Sequence, residues 1–216
     1  MAATVEFGFE YKSKRFQDAE KGLRAFARSL ELGLQATGPA IAKEMRAFLE
    51  ITATALAKRH GNPWPGGTSA RTLSRRSGRA IASIRDGVRV TGSRLGEIEG
   101  SIGGTFYLRT HEYGATIKPK KAKWLTIPLP AALNPDGTPI KQSARQWKNT
   151  FVKQTEHGNF LIYQQRGAQI VPLYALKKKV KIPPRLGARE TMKAGLPYFV
   201  DKAFDAMLRE LTKGLA

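Results

Sequence analysis

The stretch Arg109–Leu129, RTHEYGATIKPKKAKWLTIPL, carries the strongest local signals for structure in the chain. A glycine can adopt the left-handed conformation that ends a helix, so Gly114 predicts the end of a short helix over Phe106–Tyr113. Ala115–Ile117 form a strand that runs into a Lys-Pro pair, where the proline removes a ladder donor. Apolar residues alternate over Leu125–Leu129 with the period of a half-buried strand. The stretch therefore predicts a helix end, a strand, a basic turn and a return strand.

The composition is that of a globular protein. The 216 residues are 41% hydrophobic and 9% aromatic, which suits one α+β domain over residues 1–216. The absence of cysteine excludes disulfide frameworks, cysteine-based zinc sites and thiol catalysis. The N-terminal residues do not resemble a signal peptide, and no stretch is apolar enough to span a membrane. We therefore expect a soluble protein that is not secreted and does not contact a membrane.

The net charge of +20 is concentrated in the middle of the chain. Residues 101–190 contain 16 basic and four acidic residues, whereas residues 191–216 contain four and three. A protein surface with so strong an excess of one sign attracts partners of the other. The basic, β-rich region over residues 61–190 is therefore expected to meet an acidic protein surface or a nucleic acid.

Helices are predicted at both ends of the chain. Alternation over Thr4–Tyr11 predicts a strand, and apolar residues at steps of three and four predict a helix from Ser13 that stops near Gly33. A second helix is expected to open at Pro39, so residues 1–60 would form a strand and a helical pair. The apolar stripe of the first helix could pack in the core or on a partner subunit. Residues 191–216 are predicted to hold a C-terminal helix that begins after Pro197, ends at Gly214, and packs on the sheet or on a neighbouring subunit.

Between these helices the pattern indicates short strands and turns. A loop rich in proline and glycine surrounds Trp64, which would be either an exposed interface anchor or a side chain folded over the core. Ser77 is expected to cap a short helix, and residues 88–102 to form a hairpin. An inserted segment, 130–172, contains an Asp-Gly turn, a short helix and a second hairpin. The fold class predicted is thus α+β, with a mostly antiparallel sheet packed against two N-terminal helices and a C-terminal helix.

Catalytic and metal-binding patterns are weak in this sequence. His60, His111 and His157 are far apart and have no metal-ligand spacing, and the best interpretation of His111 is structural, at a helix end beside Glu112. No Gly-x-Ser-x-Gly motif or phosphate-binding glycine loop is present. We therefore predict no catalytic residue, no cofactor and no metal, and a protein that is not an enzyme.

Several motifs resemble a known family when taken in order. Ser77-Gly78-Arg79 is followed by the segment Tyr107–Gly114, then by the basic Pro119–Ile127 and the late Leu176–Pro183. This succession resembles the virion-morphogenesis and tail-completion proteins of tailed bacteriophages, in particular the Mu-like group. The resemblance covers about residues 62–190.

The resemblance implies a structural protein of the virion neck, at the head-proximal end of the tail. Such a protein would form a homo-oligomeric ring, with six copies expected, that completes the tail and contacts tail-tube or tail-terminator and head-connector proteins, close to phage DNA. The candidate interface residues are Trp64, Lys118, Lys120, Lys121, Lys123, Lys177, Lys178, Lys179, Lys181 and Arg185.

Two alternatives for the lysines stay open. On a strand edge, lysines also discourage unwanted strand pairing, so Lys179 and Lys181 could serve only that purpose. The basic region could instead bind nucleic acid without sequence preference. In that case aromatic side chains among the lysines would stack on bases; the candidates are Trp124, Trp147, Tyr163 and Tyr174.

Overall fold

The structure, a computed structural model, describes residues 9–16, 18–66 and 69–215. It has small antiparallel sheets, a long N-terminal helix and a C-terminal helix, which confirms the α+β class. The chain divides into two compact units. Unit 1 comprises Met1–Ala53, Gly87–Gly103 and Met192–Ala216, and unit 2 comprises Thr54–Asp86 and Gly104–Thr191. The single domain expected from the length stays a prediction.

Unit 1 begins with a small hairpin of β1 (Phe9–Tyr11) and β2 (Lys14–Phe16), which pair antiparallel. The predicted first strand overlaps β1, and its residues 4–8 lie outside the described part of the chain. The prediction that a helix starts at Ser13 was wrong, because Ser13 has a φ of 55° in the turn of this hairpin. The Asp18 carboxylate instead accepts a hydrogen bond of 2.9 Å from the backbone N–H of Glu20 and caps the next helix.

That helix, α1 (Ala19–Arg59), is a single element of 41 residues, so the predicted helical pair was wrong. The sequence also predicted the hairpin of β3 (Val88–Thr91) and β4 (Glu99–Ile102), which is present. The loop of this hairpin packs against α1 at the glycine where the helix was expected to break. A Cβ atom at Gly38 would lie 1.9 Å from the carbonyl oxygen of Ser93, in the loop of this hairpin. Gly38 is therefore a point of close backbone approach inside a helix, and the exposed Pro39 is accommodated without ending it.

The second long helix, α4 (Ala188–Leu215), contains Pro197 and runs past Gly214, so its predicted start after Pro197 was wrong. Within unit 1 it packs antiparallel to α1. The rings of Phe48 and Phe199 are 5.4 Å apart, and Gly33 faces Glu210 and Leu211. Leu49, with no exposed surface, and Ala206 belong to the core of this unit. No helix within the described residues is both long and apolar enough to cross a membrane.

Unit 2 contains two short helices, α2 (Arg79–Arg85) and α3 (Leu108–Tyr113), and six strands. The strands are β5 (Ala115–Ile117), β6 (Leu125–Pro128), β7 (Thr150–Gln154), β8 (Phe160–Arg166), β9 (Gln169–Lys177) and β10 (Val180–Ile182). One antiparallel sheet has the order β6-β9-β8-β7, and a separate pair joins β10 to β5. The core of the larger sheet is formed by Ala132, Leu173 and Tyr174.

Three local predictions for unit 2 are confirmed. Gly114 follows α3 with a φ of 73°, although its ψ of 163° is extended rather than left-handed helical. Residues 150–154 and 160–166 form the predicted hairpin, and Ala144–Gln146 form a short 3-10 helix in the insertion.

Two other predictions for unit 2 were wrong. Ser77 does not cap α2, since Gly78 with a φ of 75° precedes it and no side chain caps it. The return strand β6 does not pair with β5, because β9 and β10 take those two places.

The contact at Gly38 leads to a stability prediction. We expect Gly38→Ala to lower the free energy of unfolding by about 1–3 kcal/mol, because the new methyl group must displace the backbone at Ser93. The substitution would do so despite the roughly 1 kcal/mol by which alanine is favoured over glycine in a helix. Urea unfolding followed by circular dichroism measures the change. Gln35→Ala, at an exposed position of the same helix, is the matched control. An unchanged or raised stability of Gly38→Ala would contradict the close packing.

Candidate functional site

Eight of the ten candidate residues lie together where two chain connections run side by side in unit 2. Ile117 pairs with Val180, and Leu125 pairs with Lys177, so the β5–β6 and β9–β10 connections lie next to each other. Seven residues, 118–124, span the gap on one side and two residues, 178–179, span it on the other. The longer connection must therefore bulge away from its neighbour. We call this surface the lysine ribbon: Lys118, Lys120, Lys121, Lys123, Lys177, Lys178, Lys179 and Lys181.

All eight side chains of the lysine ribbon are exposed. Lys177 Nζ donates a hydrogen bond of 2.8 Å to Asn159 Oδ1, and the Lys178 ammonium lies 5.6 Å from the centre of the Trp124 ring. Among the described residues, none of the eight pairs with a carboxylate. At moderate salt, exposed like charges repel one another over distances of up to about 10 Å. The ribbon is thus a concentrated positive surface, and no carboxylate in the described part of the chain neutralises it by direct contact.

The aromatic residues proposed for base stacking are already engaged. Tyr174 is only 3% exposed, and its hydroxyl accepts a hydrogen bond of 3.0 Å from Trp147 Nε1. Tyr163 stacks on Phe151, and Trp124 packs on Phe160 and beneath Lys178. The prediction that Tyr174 is available for stacking was therefore wrong, and the other three rings are at most partly accessible.

The remaining two candidates, Trp64 and Arg185, do not belong to the ribbon; they line a cavity of about 550 Å³ in unit 2. The Trp64 ring packs against Gly137, where any Cβ atom would lie 2.5 Å from the ring, and the Arg76 guanidinium lies 4.3 Å from its centre. Trp64 is half-buried, which fits a side chain folded inward better than an exposed anchor.

Two chemically different groups of side chains line the cavity, and we call them its apolar wall and its cationic wall. Leu73, Ile81, Ile84, Leu108 and Leu186 are apolar, whereas Arg75, Arg76 and Arg185 are cationic. No acidic side chain is found among the described residues that line it.

Two buried polar atoms beside this cavity, Arg185 Nε and His111 Nδ1, lack a hydrogen-bond partner among the described residues. An unsatisfied buried group of this kind costs about 1–3 kcal/mol. Both atoms are therefore shielded from solvent, and no contact among the described residues offsets the cost of burying them.

Two histidines fix the wall that contains Arg185. His60 is 4% exposed; its Nε2–H donates to the carbonyl oxygen of Leu186 at 2.9 Å, and its Nδ1 accepts from the Leu73 N–H at 3.1 Å. The backbone carbonyl of His111 accepts from the N–H groups of Arg185 and Leu186. The sequence did not predict that these two histidines line the same cavity, since neither spacing nor periodicity connects them. The described residues contain no group of three or more His, Asp or Glu side chains suited to a metal ion.

Glu112 completes this arrangement. Its carboxylate accepts hydrogen bonds from the backbone N–H groups of Ala188 at 2.8 Å and Arg189 at 3.0 Å, the first residues of α4. A carboxylate at a helix N-terminus satisfies free N–H groups and interacts favourably with the helix dipole. His111 and Glu112 are thus structural residues in this geometry.

Burial lowers the pKa of both histidines. For His60, burial outweighs the hydrogen bond to Leu186 that favours the cation, and the Arg59 charge lowers the pKa further. For His111, burial is again the largest cause, followed by the charges of Arg185 and His60. Both side chains are therefore held neutral near pH 7.

Comparison of the chain with protein-family models, with curated proteins and with solved structures gives no match.

The lowered pKa of His60 predicts a pH-dependent stability. The unfolded histidine takes up a proton near its ordinary pKa of 6.5, which the folded one resists. The free energy of unfolding should therefore be independent of this group well above pH 6.5 and should fall as the pH drops below that value. His111 acts with the same sign. Urea unfolding between pH 5.5 and 8 measures the slope.

His60→Asn should reduce this slope and lower the stability at pH 8 by about 1–3 kcal/mol, because the Leu73 N–H and the Leu186 carbonyl lose their partner. His157→Asn, on the exposed turn between β7 and β8, is the control and should keep the parent stability at pH 8. A slope that is the same in His60→Asn as in the parent would refute the assignment.

Proposed function

We propose that this chain is a structural protein of a tailed-bacteriophage particle, which forms a ring that completes the tail at the neck and helps to join it to the head. The observation that carries the proposal is an apolar stripe along α4, formed by Leu196, Val200, Phe204 and Leu208. These side chains are 43% to 54% exposed, and they follow one another at steps of four residues. Residues four apart lie on one helix face, so the stripe is a continuous surface.

An exposed apolar surface of this kind marks an interaction site. Ala206 and the half-buried Met207 of the same helix face inward, so α4 has an inner apolar face as well as the exposed stripe. The sequence left open whether the C-terminal helix packs on the sheet or on a neighbouring subunit. The exposed stripe favours a neighbouring subunit.

The distribution of charge supports a second copy of the chain as the occupant of the stripe. Residues 191–216 have four basic and three acidic side chains, so two copies of this segment do not repel each other strongly. Residues 101–190, with 16 basic and four acidic side chains, would repel a second copy. Contacts between copies are therefore assigned to the stripe, and the ribbon is left for a different, acidic protein.

The lysine ribbon supplies the chemistry for that second partner. Charge complementarity across an interface guides association and selects the correct partner. The resemblance of the motifs to those of virion-morphogenesis and tail-completion proteins suggests the candidates: head-connector, tail-tube or tail-terminator proteins with an acidic face. The proposed ring of six copies would present six ribbons on one assembly.

Binding of nucleic acid without sequence preference is the alternative function. The exposed ribbon supplies the cations that such binding requires. Nonspecific single-strand binders combine those cations with accessible aromatic rings, which are engaged here by neighbouring side chains. The structural role is therefore the better supported of the two.

The stripe leads to a test of assembly. We expect the purified chain to form a closed oligomer, and the double variant Val200→Ser/Phe204→Ser to dissociate into monomers, because serine removes the apolar surface that association buries. Mass photometry and multi-angle light scattering measure the oligomer, and circular dichroism checks the helix.

The matched control is Lys202→Ser/Asp205→Ser, at exposed positions of the same turns of α4, which leaves the net charge of the segment unchanged and should keep the oligomer. A chain that stays monomeric at all concentrations, or an oligomer that is equally stable in both double variants, would contradict assembly through the stripe.

A further inference from the structure

We propose that the cavity of unit 2 binds a carboxylate attached to an apolar body, as found at the C-terminal end of a peptide whose last residue is hydrophobic. The inference does not rest on the proposed function, because the cavity shares no residue with the lysine ribbon or with the α4 stripe. It rests on the size of the cavity, on the charge of one wall and on the apolar character of the other.

The volume fits a ligand of this size. A cavity of about 550 Å³ lies within the range of roughly 300–1,000 Å³ that is common for small-molecule sites. Such sites are mostly apolar, with a few polar groups that orient the ligand. The cavity of unit 2 has this composition.

The cationic wall selects an anion. Arg75, Arg76 and Arg185 line the cavity, and no carboxylate of the described residues does. Arginine binds carboxylates through two parallel hydrogen bonds, which fixes the orientation of the ligand as well as its charge.

Arg185 is the least exposed of the three arginines that line the cavity, since it is half-buried whereas Arg75 and Arg76 are exposed. A charge that is partly removed from water gains more from a bound counter-charge than an exposed one does. Two other arginines of unit 2, Arg76 and Arg59, already have acidic neighbours. Arg76 lies close enough to Asp136 to contribute to the lowered pKa of that carboxyl group, and Arg59 lies 3.8 Å from Glu190. We therefore assign the main contact with the ligand carboxylate to Arg185.

The apolar wall distinguishes the ligand from a free inorganic anion. Ile84, Leu108 and Leu186 are each less than a tenth exposed, and all three line the cavity. A phosphate ion would satisfy the arginines and leave this wall uncovered. A carboxylate next to a leucine-like side chain would occupy both walls at once.

The probe for this proposal is N-acetyl-L-leucine, which carries a carboxylate beside an isobutyl group. Titration of the ¹⁵N-labelled chain, followed by NMR, should shift the amide signals of residues 73–84 and 185–187 and give a dissociation constant in the millimolar range expected for so small a ligand. N-acetyl-L-leucinamide, which lacks the charge, and inorganic phosphate, which lacks the apolar group, should each bind at least about tenfold more weakly.

Variants assign the contact to the cationic wall. Arg185→Gln should weaken binding of N-acetyl-L-leucine at least about tenfold, and Arg76→Gln should weaken it less. Arg79→Gln, an exposed arginine at the start of α2 that does not line the cavity, is the matched control and should bind as the parent does. Thermal unfolding verifies that each variant is folded, and Arg76→Gln carries the test if Arg185→Gln does not fold.

Three results would overturn the proposal. The first is the absence of signal shifts in the cavity at probe concentrations well above the millimolar range. The second is equal binding of N-acetyl-L-leucine and its amide, which would mean that the charge is not recognised. The third is phosphate binding as tightly as N-acetyl-L-leucine, which would mean that the apolar wall contributes nothing.

Discussion

The attachment of residues 185–189 to two histidines and one glutamate is the constraint on which the rest of unit 2 depends. The His111 carbonyl accepts two backbone hydrogen bonds from this segment, the Glu112 carboxylate accepts two more, and His60 donates to the Leu186 carbonyl. Gly187 has a φ of 67°, and a Cβ atom there would meet the Arg59 guanidinium at 2.6 Å. These contacts hold β10 beside β5, place Arg185 in the cavity wall and start α4. A buried, neutral imidazole and a capping carboxylate thus organise both candidate sites of unit 2.

The two sites of unit 2 use positive charge in different ways. Lysines of the ribbon are exposed, flexible and strongly hydrated, so they suit a broad acidic surface approached through water. Arginines of the cavity lie beside an apolar wall, where a guanidinium can hold one carboxylate in a defined orientation. One basic region of sequence would therefore supply both the proposed contact surface and the proposed recognition site. The sequence alone grouped Arg185 with the lysines, because a charge count cannot distinguish an exposed cation from one in a cavity wall.

Local signals predicted what local interactions decide. The hairpin over residues 150–166 and the short helix that ends before Gly114 depend on turn residues and on periodicity, and both are present. Contacts between distant segments decided the rest. Gly38 reads as a helix break, yet it is the point where a distant loop approaches the helix backbone. The partner of β5 is β10 rather than β6, and the meeting of His60 with His111 has no signature in the sequence. The lysine positions could thus be predicted, whereas the cavity could not.

The central claim is that the lysine ribbon contacts an acidic face of another particle protein. Zero-length carbodiimide coupling on intact phage particles, followed by mass spectrometry of the linked peptides, tests it directly because the reagent joins lysine amines only to carboxylates that touch them. The account predicts that the chain is present in purified particles and that residues 118–123 and 177–181 are linked to aspartates or glutamates of a head-connector or tail protein. Two results would contradict the claim. One is the absence of the chain from the particles, and the other is a set of crosslinks in which the rest of the chain is linked to other proteins but the ribbon lysines are not.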